Sequence, residues 1–243
     1  MTDLMPHQPV GAPDATHRQG ILTWRPAAGP EHPGPRAGLF PIGIGTGRDG
    51  LMYRPPLVAE ATPLLVMLHG AGASASDVMP MVSSAAERFG VVVLAPDSRG
   101  GTWDFIRHGY GPDVAFLDRA LHERFGSGSV DPGRIAVAGF SDGGSYALSL
   151  GLINGGLFSD ILAFSPGFGA PTRMEDTPRI FISHGRQDPV LPIERCGRRL
   201  AKGMKQAGYD VDYHEFSGGH VVPADIVDAA FRRFLDHARA DQS

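Results

Sequence analysis

The chain lacks most of what commits a sequence to an oxidising compartment, a bilayer or a nucleic acid. It holds one cysteine in 243 residues, Cys196, so no disulfide can close within it. That cysteine reads as a partly buried helix residue rather than a nucleophile, because no glycine-rich turn surrounds it. No apolar run approaches the roughly 20 residues that span a bilayer, which argues against integral membrane association. The first 20 residues are rich in Pro, His and polar side chains and lack the basic and apolar regions of a secretory signal. A soluble, cytoplasmic protein is the expectation. There is no excess of positive charge: the net charge is -4 and the one basic cluster, Arg195, Arg198, Arg199 and Lys202, reads as the solvated face of a helix. Nucleic acid is therefore not an expected partner. No internal repeat or low-complexity tract is present, and no polar linker divides the chain. With 42% hydrophobic residues it can bury one large core. Residues 1–19 are expected as a flexible arm and residues 20–243 as a single domain, whose oligomeric state the sequence leaves open.

What the chain does contain is a change of rhythm. Gly20 to Pro56 holds short apolar pieces at Ile21–Trp24, Gly38–Gly45 and Gly50–Arg54, broken by Gly and Pro, which suggests two or three antiparallel edge strands. From Pro63 onward, apolar runs alternate with helical patterns. Leu64–Leu68, Val91–Ala95, Arg134–Ala138, Ile161–Phe164, Ile180–Ile182 and Val211–Phe216 read as strands. The intervening stretches, Ser76–Phe89 (capped by Ser74 or Ser76), Pro112–Phe125, Gly144–Leu150, Ile193–Ala207 and Val222–Ala238, read as helices, and Asp131-Pro132 as a turn. This alternation predicts an α/β fold: a mostly parallel central sheet with helices on both faces and antiparallel N-terminal edge strands. Only residues 165–178 separate two late strands, too few for a large cap domain, so an open site is expected. Chemistry in such sheets collects at the carboxyl ends of the strands.

Gly139-Phe140-Ser141-Asp142-Gly143 sits at one of those ends, between a strand and a helix. A serine on such a turn is forced into a strained, exposed position, and its glycines let strand and helix pass closely. Serine needs an adjacent base to act as a nucleophile. Among ten histidines, His220 alone follows the last strand and opens the last helix, at the same edge as Ser141. His7, His17, His32 and His237 fall near the termini, His122 on a helix, His214 within a strand and His108 in a loop. An imidazole base needs a carboxylate to fix its tautomer. Asp188 lies just past the Ile180 strand, with Glu175 and Asp176 as backup acids. The chain order Ser141, Asp188, His220 is that expected of an α/β-hydrolase.

A developing oxyanion needs preorganised donors. The backbone N–H groups of Asp142 and Ala71 are the candidates, the latter in the turn His69-Gly70-Ala71-Gly72. His69 itself reads as structural, and the Asp142 side chain as a helix N-terminal carboxylate. Trp103, Phe168 and Val221 are the candidate substrate-binding residues, with Phe105, Tyr110 and Met174 as further wall candidates. Such a wall would suit a small-molecule ester of a short- or medium-chain acid, or an aryl ester, and this chemistry calls for no metal and no organic cofactor.

From Pro63 to Phe234 the chain resembles the serine α/β-hydrolases. Within them it is similar to the carboxylesterase/phospholipase group that includes acyl-protein thioesterases. The resemblance rests on Leu68-His69-Gly70-Ala71-Gly72, Ala95–Trp103, Gly139–Gly144, His184-Gly185 with Asp188–Pro192, and Gly219-His220. Dienelactone hydrolases are similar in architecture but use cysteine where Ser141 stands; feruloyl esterases and polyhydroxybutyrate depolymerases are usually secreted and disulfide-bearing. The resemblance implies the α/β-hydrolase fold and ester hydrolysis through an acyl-enzyme. Thioesterase, lysophospholipase or acyltransferase activity on the same residues is the alternative, and a binding module without catalysis a more distant one. The chain departs from the thioesterase pattern at Asp142, where glutamine is usual. That leaves the backbone donor intact and bears on substrate class.

Overall fold

The apolar runs of the middle of the chain become the centre of one sheet. The computed structural model describes residues 12–26, 37–45, 47–59, 61–126 and 130–236. Its strands are β1 (Gly38–Pro41), β2 (Gly50–Arg54), β3 (Thr62–Leu68), β4 (Val92–Pro96), β5 (Val130–Phe140), β6 (Asp160–Phe164), β7 (Arg179–Gly185) and β8 (Val211–Phe216). They lie in the order β1-β2-β4-β3-β5-β6-β7-β8. The β1–β2 and β2–β4 pairings are antiparallel and the others parallel. The helices are α1 (Ala75–Phe89), the short α2 (Asp104–Arg107), α3 (Pro112–Phe125), α4 (Asp142–Ile153), α5 (Gly197–Gln206) and α6 (Ala224–Leu235).

Period-two alternation along the buried strands divides the core in two. Leu64, Val66 and Leu68 of β3 face a layer built with α3, α4 and α5. Leu65 and Met67 face a layer built with α1 and α6. Every residue of β3, β4 and β6 is buried, as expected for parallel strands covered on both sides. Residues 165–178 join β6 to β7 without a helix, so no cap is inserted there. Among the described residues no helix is long and apolar enough to cross a membrane.

Three sequence expectations are corrected. Ile21–Trp24 is not an edge strand, although Leu22 and Trp24 are fully buried. Its backbone donors go to side chains: Leu22 N–H donates to Asn154 Oδ1 at 2.8 Å, and Thr23 and Trp24 N–H both donate to Asp118 Oδ1 at 2.8 Å. A strand pattern is apolar burial plus a ladder, and here buried polar side chains of α3 and the α4 terminus replace the ladder. Of the expected arm, residues 1–11 lie outside the described residues, but 14–19 are held. His17–Gln19 forms a single 3-10 turn, Asp14 Oδ1 accepts the His17 N–H at 2.9 Å, and Gln19 O accepts the Thr172 hydroxyl at 2.7 Å. Asp131-Pro132 lies inside β5 rather than in a preceding turn, next to a register shift against β3. The last helix is described over Ala224–Leu235, and residues 237–243, with the end of the expected helix, lie outside the described residues.

Asp118 also accepts the Thr23 hydroxyl at 2.5 Å and is 3% exposed. Removing it strands the buried Trp24 N–H and takes the acceptor from the part-buried Thr23 N–H. Asp118→Ala should therefore cost about 2–3 kcal/mol by urea denaturation, with an unchanged m-value.

Candidate active site

The carboxyl ends of β3, β4, β5, β7 and β8 all open onto one edge of the sheet, and the candidate residues leave from them. Ser141 is the residue between β5 and α4, at φ 59° and ψ -119°. That conformation is strained for a residue with a side chain and persists because its surroundings fix it. Ser141 N–H donates to Phe164 O at 2.9 Å, and Ser145 N–H closes the first turn of α4 onto Ser141 O at 3.0 Å. The flanking glycines are sterically required. A Cβ on Gly139 would lie 2.1 Å from Gly143 O, and one on Gly143 would lie 2.1 Å from Leu68 O.

His220 Nε2 lies 2.8 Å from Ser141 Oγ, and its Nδ1 lies 2.6 Å from Asp188 Oδ2. The loops carrying them are tied together by backbone bonds from Arg186 N–H to Phe216 O and from Gln187 N–H to Gly218 O, both 2.9 Å. Asp188 Oδ1 accepts the N–H groups of Val190 (2.9 Å) and Leu191 (2.8 Å), so all its nearby donors favour the carboxylate. Burial alone would raise its pKa. The Leu191 N–H, the His220 ring and the Val190 N–H outweigh that and hold the carboxyl below its ordinary value. An ionised carboxylate only accepts, so the proton of neutral His220 sits on Nδ1 and Nε2 faces Ser141 as an acceptor.

His184, buried beneath, donates from Nε2 to Leu191 O at 2.7 Å and so braces the turn that carries Asp188. Its Nε2 is also 3.4 Å from Asp188 Oδ2, but burial lowers its pKa and keeps the ring neutral, so this is a contact and not an ion pair. Glu175 and Asp176, the backup acids, lie by Gly155 and Gly156 past the far end of α4, away from Ser141.

The turn after β3 passes directly beside Ser141: a Cβ on Gly70 would lie 3.4 Å from the Ser141 Cβ. Ala71 in this turn is exposed. Asp142 is the first residue of α4, where a backbone N–H has no intrahelical acceptor. His69 anchors the turn. Its Nδ1–H donates to Gly70 O at 2.7 Å and its Nε2 accepts the Ser98 N–H at 2.9 Å, while burial lowers its pKa and keeps it neutral. Gly72 N–H donates to Gly101 O at 2.6 Å, and Arg48 donates to Ala73 O at 2.8 Å and Ser98 O at 2.5 Å. Arg48 carries no sequence signal: it is one arginine in a glycine-rich loop.

The expected pocket wall is revised. Trp103 is 1% exposed, stacks on Tyr146 at 4.9 Å and donates from its indole to His69 O at 2.8 Å. It supports the 69–72 turn from below and offers no face to a substrate. Tyr110 is likewise buried. Phe168 and Phe105 are half-buried and stack on each other with centroids 5.4 Å apart. Val221, next to His220, is 52% exposed, and Met174 lies out on the 165–178 loop, also exposed. Two serines that sequence reading passed over position the Phe168 loop. Ser145 Oγ accepts the Gly167 N–H and Ser149 Oγ accepts the Ala170 N–H, each at 2.9 Å. Their spacing of four on α4 is the signal that could have found them. Cys196 is buried at the start of α5, and burial raises its thiol pKa, which keeps it protonated and inert.

Comparison with known proteins agrees with this layout. The sequence profile of the phospholipase/carboxylesterase family matches residues 115–237. Acyl-protein thioesterase 1 of Gibberella zeae is 34% identical over 133 residues, covering 49% of this chain and 56% of that protein. The putative esterase NocK of Nocardia uniformis is 27% identical over 150 residues, covering 57% of this chain and 44% of that protein. The chain thus spans about half the length of these curated relatives. A carbohydrate esterase from gut microbiota shares the fold with a TM-score of 0.67 at 16% identity, over 85% of this chain and 98% of that one. A serine turn between β5 and α4, loops converging from β3, β7 and β8, and a profile match over half its length make this chain a member of the phospholipase/carboxylesterase family of α/β-hydrolases.

Proposed function

We propose that the chain is a serine carboxylesterase acting on small-molecule esters of short- or medium-chain or aryl acids. The observation that carries this reading is the hydrogen-bonded line Ser141–His220–Asp188, with spacings of 2.8 and 2.6 Å, standing on a strained turn. Ser141 Oγ attacks the ester carbonyl carbon as its proton passes to His220 Nε2. The N–H groups of Ala71 and Asp142 hold the resulting oxyanion. Asp188 keeps Nδ1 protonated and offsets the positive charge of the imidazolium. Collapse of the tetrahedral adduct expels the alkoxide, which takes the Nε2 proton and leaves as the alcohol. Water then gives a proton to the same nitrogen, attacks the acyl-serine, and the acid departs with Ser141 restored. The half-buried faces of Phe105 and Phe168 and the exposed Val221 supply apolar surface for the substrate.

The relation to an acyl-protein thioesterase favours thioester hydrolysis as a second reading, with the same groups in the same roles. Two measurements test both. A fluorophosphonate probe should label the native protein at Ser141, located by peptide mass spectrometry, and Ser141→Ala should remove labelling and hydrolysis of p-nitrophenyl butyrate while circular dichroism stays native. Turnover persisting in that variant would refute the serine mechanism altogether. Relative kcat/KM on matched butyryl esters and thioesters then separates the two readings.

A further inference from the structure

The residue after the candidate nucleophile carries a charge that the mechanism above does not use. Asp142 is half-buried at the head of α4, and its Oδ2 accepts the Thr102 hydroxyl at 2.7 Å. Thr102 is 9% exposed and sits between Gly101, whose carbonyl holds the Gly72 N–H, and Trp103, whose indole holds the His69 carbonyl. The carboxylate is therefore anchored to the same segment that fixes the 69–72 turn, and it cannot swing freely into solvent. Among the described residues it has no ion-pair partner: Arg48 and Arg99 are engaged with carbonyl oxygens, and the Arg107 guanidinium lies by Gly101, next to Thr102, without pairing to the carboxylate. Because its own N–H is the proposed oxyanion donor, covalent geometry keeps the carboxyl group within roughly 7 Å of the reacting carbonyl. A half-buried anion at that distance with no ion-pair partner acts on any charge the substrate carries.

We infer that Asp142 determines specificity by charge: held by Thr102 at the rim of the oxyanion site, it favours esters bearing a cationic group close to the scissile bond and disfavours anionic ones. The inference rests on the esterase reading of Ser141. A carboxylate beside a forming oxyanion opposes catalysis of a neutral ester, and a cationic group on the substrate offsets that cost.

The test compares isosteric substrates on the native enzyme and on Asp142→Asn, whose amide oxygen can still accept from Thr102. Two series are used, one with the charge in the alcohol (acetylcholine, 3,3-dimethylbutyl acetate, 3-acetoxypropanoate) and one with it in the acyl group of matched p-nitrophenyl esters. In at least one series the native enzyme should prefer the cationic over the neutral ester by about five- to tenfold in kcat/KM. Asp142→Asn should collapse that ratio towards one and raise the rate on the anionic ester. Equal factors for all three charges in both series, or a native enzyme that hydrolyses p-nitrophenyl acetate but shows no charge preference, would overturn the inference and leave the esterase reading intact. A native protein that neither hydrolyses p-nitrophenyl acetate nor reacts with a fluorophosphonate would remove the esterase reading itself, and this inference with it.

Discussion

Asp188→Asn should lower kcat by about 10⁴-fold while leaving the protein folded. The size of this effect comes from how the two carboxylate oxygens are divided. Oδ1 accepts two backbone N–H groups, from Val190 and Leu191, and Oδ2 accepts from His220 Nδ1. An asparagine must turn its oxygen to the two N–H groups, because turning its NH₂ there would set donor against donor twice. Its NH₂ then faces Nδ1, which can satisfy it only as an unprotonated acceptor. The ring proton moves to Nε2, and the nitrogen facing Ser141 Oγ becomes a donor, unable to take the serine proton. The shape of the site is unchanged, because Asn and Asp occupy the same volume and the backbone bonds survive. The check is a pair of measurements: kcat on p-nitrophenyl butyrate and the melting temperature. A variant retaining more than about a tenth of native kcat would show that His220 does not depend on Asp188 for its tautomer.

The parts of this site that sequence reading reached share a physical character. Ser141 and Asp188 each follow a strand with a continuous apolar run, and His220 follows the alternating last strand β8, so the sheet topology brings all three to one edge. The Ala71 turn was legible for the same reason, coming directly after β3. What sequence reading misjudged depends on side-chain direction, which period and position do not encode. Trp103 lies in the loop that leaves the carboxyl end of β4, yet its ring points inward onto Tyr146 and its N–H is spent on His69. Ile21–Trp24 has the composition of a strand, but Asp118 and Asn154, about a hundred residues or more later in the chain, take its backbone donors. Thr102 and Arg48 act through hydrogen bonds between loops, and an isolated polar residue in a loop gives no pattern to read. The core and the candidate catalytic positions are set by repeated local signals; the fittings between loops are set by pairwise contacts that only coordinates reveal.

Gly143→Ala should be among the most destabilising single-methyl additions this chain can receive. The cause is steric and independent of backbone freedom. The new Cβ would stand 2.1 Å from Leu68 O and 2.5 Å from His69 O, against an ordinary contact of 3.4 Å or more. Neither oxygen can retreat cheaply. Leu68 ends the fully buried β3, and His69 O accepts the indole of Trp103, itself stacked under the turn that carries Ala71. Relief requires α4 to move off the sheet by more than an ångström, which would also disturb Ser141 and the Phe168 loop that Ser145 holds. A cost above about 4 kcal/mol follows, equivalent to a fall in Tm of roughly 8–16 °C for a chain of this length. Whatever folds should also label poorly at Ser141. Gly203→Ala supplies the opposite case. It lies exposed in α5 with nothing within 4 Å of an added Cβ, so the gain in helix propensity should raise Tm by roughly 1–4 °C. If Gly143→Ala instead melted within about 2 °C of the native protein and still reacted at Ser141, the strand and helix would have room between them. The close passage that presents the serine would then not be what holds it there.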